Sequence, residues 1–126
     1  MTSLLACLST GKGTWTQVNG IINSATWDNV FLITNDFGKT NYKSQGNAKL
    51  LVFNLNKHPD ILSDEIVTML RAENLGPEVA INLTSGNGDE HMAILAAVLK
   101  LGLGVRLVFF KDGKVEELKL FNFSFD

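Results

Sequence analysis

Cysteine is nearly missing from this chain of 126 residues: Cys7 is the only one. A disulfide framework and a cysteine-based zinc site are therefore excluded. Proline occurs twice, as Pro59 and Pro77, and both fall in connections between apolar stretches. No apolar run reaches the roughly 18 residues of a membrane span. The N-terminus has neither the charged segment nor the long apolar segment of a secretion signal. The expectation is a soluble cytoplasmic protein with no membrane partner. Nor is there a strong excess of charge of one sign. A net charge of −2 argues against binding of duplex nucleic acid, though not against a small anion held locally.

What is present is a good supply of core material. Hydrophobic residues make up 45% and charged residues 19%, which fits one domain over residues 1–126 with a real core. Ser3 to Leu8 is a continuous apolar run of the kind that forms a strand buried on both faces. Ser9-Thr10-Gly11-Lys12-Gly13 follows as a glycine loop. Thr14 then opens a helix, with Gln17 three residues on as a capping box. Trp15, Val18, Ile21, Ile22 and Ala25 form its apolar face. Gly20 lowers helix stability by about 1 kcal/mol against Ala, so it marks a close packing contact.

Val30 to Ile33 reads as strand two, and the polar stretch from Phe37 to Asn47 as a loop or a short helix. Lys49 to Leu55 reads as strand three. Ser63 is the expected cap of the next helix, whose apolar face is Ile66, Val67, Met69 and Leu70. His58, beside Pro59, reads as loop. Val79 to Leu83 is strand four, and Thr84-Ser85-Gly86-Asn87-Gly88 is a second glycine loop. From Asp89 the apolar period becomes helical, through Met92, Ile94, Leu95, Ala96, Val98, Leu99 and Leu101, until Gly102 stops it. Val105 to Phe110 is strand five. Asp112-Gly113 makes a hairpin turn into an antiparallel strand from Val115 to Phe125, with Phe121, Phe123 and Phe125 on one face.

Strands alternating with helices predict an α/β fold: a Rossmann-like open, mainly parallel sheet of order 3-2-1-4-5, helices on both faces, and antiparallel strand six at the end. In that order strands one and four are neighbours where the winding reverses. Ligands of open α/β sheets bind at that point, outside the carboxyl ends of the strands. Both glycine loops fall there, and their backbone N–H groups suit an anion.

Neither loop carries a complete phosphate signature. Gly11-Lys12-Gly13 misses the Walker spacing. Gly11 and Gly13 match the dinucleotide fingerprint, but Thr16 stands where its third glycine belongs. Asp36 lies after strand two, where a ribose-binding acid would sit.

The arrangement Leu8-Ser9-Thr10-Gly11-Lys12-Gly13, together with Asn82-Leu83-Thr84-Ser85-Gly86 running into an apolar helix, resembles the CRISPR-associated Rossmann-fold (CARF) family. The resemblance covers nearly the whole chain. It departs from the family at the strand-four turn, where the usual lysine is absent and Asp89 and Glu90 stand near its place. The resemblance implies a homodimer that binds a cyclic oligoadenylate across its two-fold axis, as a sensor in antiviral defence, and no cofactor. It also implies ring-nuclease activity as an option, since the ligand's own 2′-hydroxyl attacks the adjacent phosphate when held in line. Ser9, Thr10 and Lys12 would then stabilise charge, and His91 would transfer a proton. Gly11, Gly13, Thr14, Thr84, Ser85, Gly86 and Gly88 would hold phosphates or ribose, Asp36 a ribose, and Asn35 or Asn87 an adenine edge. No metal site is expected. The chain would be a stand-alone module or a piece of a longer effector. Two alternatives stay open: a small nucleotide-binding Rossmann-type enzyme, and a structural protein that docks a partner through its last strand. Trp15 at the crevice rim reads either as core packing or as a surface for base stacking.

Overall fold

A computed structural model describes residues 2–9, 11–44 and 46–119. Six strands form one sheet: β1 (Ser3–Leu8), β2 (Val30–Thr34), β3 (Ala48–Val52), β4 (Glu78–Asn82), β5 (Gly104–Lys111) and β6 (Lys114–Glu117). Their order is β3-β2-β1-β4-β5-β6, parallel throughout except for the β5–β6 hairpin. The expected sheet is therefore the one found, and the fold is a Rossmann-like α/β fold. Strand β1 lies at its centre, with Leu5 beside Phe31 of β2 and Ile81 of β4. Among the described residues no helix is long and apolar enough to cross a membrane.

The alternation of side chains along β1 divides the core in two. Leu5 and Cys7 face helices α3 (Pro59–Leu70) and α4 (Gly88–Lys100), packing on Ile66, Leu70, Ile94 and Val98. Leu4, Ala6 and Leu8 face α1 (Trp15–Ser24), packing on Val18 and Ile21. Because both faces are covered, the central strands are continuously apolar and buried. Gly20 is a contact point, as expected: a Cβ there would stand 2.7 Å from the Phe110 ring.

Several helix boundaries differ from the sequence expectation. A single 3₁₀ turn, Lys12–Thr14, precedes α1. Thr14 forms no capping box: its own backbone is helical, so its hydroxyl turns back and donates to the Gly11 carbonyl at 3.2 Å. Ala25 lies past the helix, extended and exposed. Helix α3 begins at Pro59 rather than after Ser63. Proline at the first helical position lacks only an N–H that would be unsatisfied there anyway. His58 is its cap, with Nδ1 accepting from the Asp60 amide at 3.2 Å, while Ser63 is buried inside the helix. The polar stretch after β2 is a short helix, α2 (Asp36–Asn41), and β3 ends at Val52, leaving Phe53 and Leu55 buried in the connection.

Helix α4 is rotated relative to expectation. It buries Ala93, Ile94, Ala97 and Val98 and leaves Met92 57% and Leu99 60% exposed. The two inward alanines let the helix sit close to the sheet. Gly102, at φ 73°, ends it as expected: its amide donates to the Leu99 carbonyl at 3.0 Å, and the Leu103 amide reaches Val98 at 3.3 Å. Met69 is likewise outside the core. Asp112 and Gly113 both take positive φ, as the hairpin requires. The strand after them ends at Glu117. Phe121, Phe123 and Phe125 lie outside the described residues.

Candidate functional site at the carboxyl ends of the strands

The loops after β1 and β4 meet at one end of the sheet. The Ser9 amide donates to the Ser85 Oγ at 3.2 Å, across 76 residues of sequence. Both serines are buried. The Ser9 carbonyl accepts from the Trp15 indole N–H at 2.9 Å, and the Leu8 carbonyl accepts from the Thr34 hydroxyl, which ties in the end of β2. Trp15 is packed on Phe37 and Tyr42, with ring centroids 5.9 and 5.6 Å away. It belongs to the core and offers no free face to a base.

Behind the second loop lies a polar knot. Asn87 caps α4 by accepting from the Glu90 amide at 2.9 Å, and the Glu90 carboxylate accepts from the Asn87 amide at 3.0 Å. This reciprocal pair is a capping box. The same Oε1 of Glu90 lies 3.9 Å from the Cys7 thiol. Burial, assisted by the Glu90 charge, pushes that thiol up to about 12, so Cys7 stays protonated and unreactive near neutrality. Gly86, at φ 102°, passes over this knot. A Cβ there would stand 2.6 Å from the Cys7 Sγ and 2.7 Å from the Glu90 Oε1.

The predicted site residues therefore divide. Gly11, Lys12 and Gly13 are exposed at the mouth, as are Gly86, Asn87 and Gly88. Gly11 takes φ 101°, and the Lys12 Nζ lies 5.7 Å from the centre of the Phe37 ring. Asp36 is exposed in the first turn of α2. Ser9 and Ser85 are interior links between the two loops. Thr84 accepts from the Asn82 side chain at 2.9 Å. The His91 Nε2 lies 2.8 Å from the Ser85 carbonyl. A carbonyl can only accept, so that nitrogen carries its proton and holds the loop rather than serving as a free base. Thr10 lies outside the described residues.

Next to this mouth, on the β2–β3 side, is a groove of about 690 Å³. It runs between the start of α2, the chain following β3 and the start of α4. Asn35, Asp36 and Asn87 line it, together with Asn54 and Asn56. Those last two belong to no glycine motif and are not among the residues expected from the sequence. Their signal was an Asn-x-Asn pair at the carboxyl end of a strand, where a side-chain amide closes a turn on the backbone. Here the Asn54 Oδ1 accepts from the Asn56 amide at 3.0 Å. Among the described residues no group of three or more His, Cys, Asp or Glu side chains is placed to hold a metal ion.

Fold and mouth together define an open α/β module with its loops gathered at the reversal of winding, the usual ligand position of such sheets. The chain matches no protein-family model and no curated protein.

Proposed function

We propose that this chain is a CARF-like sensor module that binds a cyclic oligoadenylate at the mouth formed by the β1 and β4 loops, across the two-fold axis of a homodimer. One observation carries the proposal: the Ser9–Ser85 hydrogen bond joins two glycine loops that are far apart in sequence. Their exposed glycines face solvent beside Lys12. Backbone amides at such a point suit phosphate or ribose oxygens, and Lys12 adds one charge-assisted contact per subunit. The departure at the β4 turn has a structural explanation: Glu90, which stands near the expected lysine, is engaged in the capping box and faces the interior.

The dimer is supported by the outward face of α4. Met92 and Leu99 are large apolar side chains exposed on the helix that starts at the mouth. An isologous contact through such a face would bring two mouths together, matching the symmetry of a ring ligand. Binding is favoured over turnover, because Ser9 is buried and the His91 Nε2 is engaged with a carbonyl.

The test is a thermal melt with cyclic tri-, tetra- and hexa-adenylate, accompanied by light scattering for the dimer. A ring that binds the folded state raises the midpoint by mass action, and Lys12→Ala removes most of that rise. No shift with any ring at high concentration retires the proposal.

A further inference from the structure

We propose that the outer edge of β6 is a self-association surface, to which a second copy of this chain adds its own β6, antiparallel and centred on Val115. This goes beyond the function proposed above and does not depend on it.

Strand β6 ends the sheet, and among the described residues it pairs with β5 alone. The Leu118 amide donates to the Leu107 carbonyl at 2.8 Å. In an antiparallel ladder every second residue turns its backbone groups to the same neighbour. Leu118, Glu116 and Lys114 therefore turn theirs to β5, while Val115 and Glu117 turn theirs outward. On the α1 face of this strand an open groove of about 670 Å³, lined by Trp27, Val108 and Val115, leaves the flank of the edge unfilled.

Charge selects both the occupant and its register. Edge strands commonly carry charge that repels an added strand, but β6 reads Lys114-Val115-Glu116-Glu117 and holds both signs. Residues directly opposite in an antiparallel pair must share one backbone direction, so a two-fold axis falls on a residue that meets its own copy. Centred on Lys114, Glu116 or Glu117, the pairing sets like charges face to face. Centred on Val115, it sets Lys114 against Glu116 of the second copy, and the two-fold repeats that pair. Opposite charges placed so across two strands stabilise them. Lys114 and Glu116 are exposed, and among the described residues neither has an ion-pair partner. Glu117 is held by Arg106 at 2.8 Å; in this register it faces Gly113 of the second copy and keeps that pair. Val115 and its copy exchange two backbone hydrogen bonds, and two six-stranded sheets become one.

A cysteine placed on the axis tests the surface. Opposed residues of a hydrogen-bonded pair stand about 5.5 Å apart at Cα, within the span of a disulfide. Val115→Cys is expected to cross-link into a covalent dimer under oxidised glutathione, while Cys7 is buried and does not compete. In that background Lys114→Glu sets carboxylates against carboxylates and is expected to slow cross-linking about tenfold. Adding Glu116→Lys restores opposite charges and with them the rate. Both swapped side chains are exposed, so the melting midpoint of the reduced protein stays where it was. Val115→Cys that remains monomeric at the highest protein concentration overturns the surface. So does a double swap that cross-links no faster than Lys114→Glu alone, since a generic contact would not regain its partner. The cross-link is expected to survive Met92→Asp on α4; its loss there would assign the association to α4 and overturn the edge.

Discussion

The buried amide of Ser9 donates to the side chain of Ser85, and this one bond couples the ends of β1 and β4. Replacing Ser85 with Ala removes the acceptor and leaves an N–H stranded away from water. Such an orphan typically costs about 1–3 kcal/mol. The expected outcome for Ser85→Ala is a melting midpoint lower by several degrees, measured by calorimetry. A midpoint equal to that of the wild type would show that the bond contributes nothing to stability.

Gly86 admits no side chain for two independent reasons, its positive φ and the atoms beneath it. Gly86→Ala is expected to lose about 2 kcal/mol or more in denaturant unfolding, from backbone strain and overpacking together. Combining it with Cys7→Ala removes the sulfur 2.6 Å from the new Cβ and recovers part of the steric loss, the Glu90 Oε1 at 2.7 Å and the positive φ remaining. Strict additivity of the two changes in a double-mutant cycle would refute the clash.

Alkali should weaken the fold through Cys7. Its ordinary value of 9.0 rises to about 12 in the folded protein, because burial and the Glu90 charge disfavour the thiolate. Between those values the folded state holds a proton that the unfolded state has released. The stabilisation is therefore complete below pH 9 and is lost as pH climbs toward 12. Tyr42, raised by burial from 10.0 to about 12, acts in the same direction. Cys7→Ala is expected to flatten the alkaline limb of a stability–pH curve without abolishing it. In the native wild type, alkylation of the thiol should be slow at neutral pH and become rapid on unfolding.

The cap on α4 gives a contrast between two substitutions at one position. Asn87→Ala removes the acceptor for the Glu90 amide and is expected to lower stability by about 1 kcal/mol, while Asn87→Asp leaves it nearly unchanged. Equal losses in urea titrations of the two variants would mean that the cap is not the stabilising contact.

The strands were legible because central strands covered on both sides must be apolar at successive positions, as Leu4 to Leu8 and Val30 to Ile33 are. The sheet order followed from chain connectivity, and with it the meeting of the two glycine loops. Which face of α4 turned inward was not legible. Met92 and Leu99 continue the same apolar period as Ile94 and Val98, and only tertiary packing of Ala93 and Ala97 chose between them. The start of α3 was obscured by Ser63, a good cap by type, when the His58-Pro59 pair outcompeted it. Ser9 and His91 looked chemical by residue type, but their hydrogen bonds to Ser85 put them to structural use. The asparagine groove went unseen because its side chains come from three connections, and no single stretch of sequence shows them together.

Trp15 makes the mouth optically visible. Its indole is hydrogen-bonded to the Ser9 carbonyl and sits against Phe37, the ring beneath Lys12. Trp27 is bonded to the Ile21 carbonyl, beyond the far end of α1. Along the helix axis the six residues from Trp15 to Ile21 rise by roughly 9 Å, so the two indoles report on different ends of α1. In a Trp27→Phe background the remaining fluorophore becomes a native beacon at the β1 loop, so occupancy there can be followed by emission without attaching any dye.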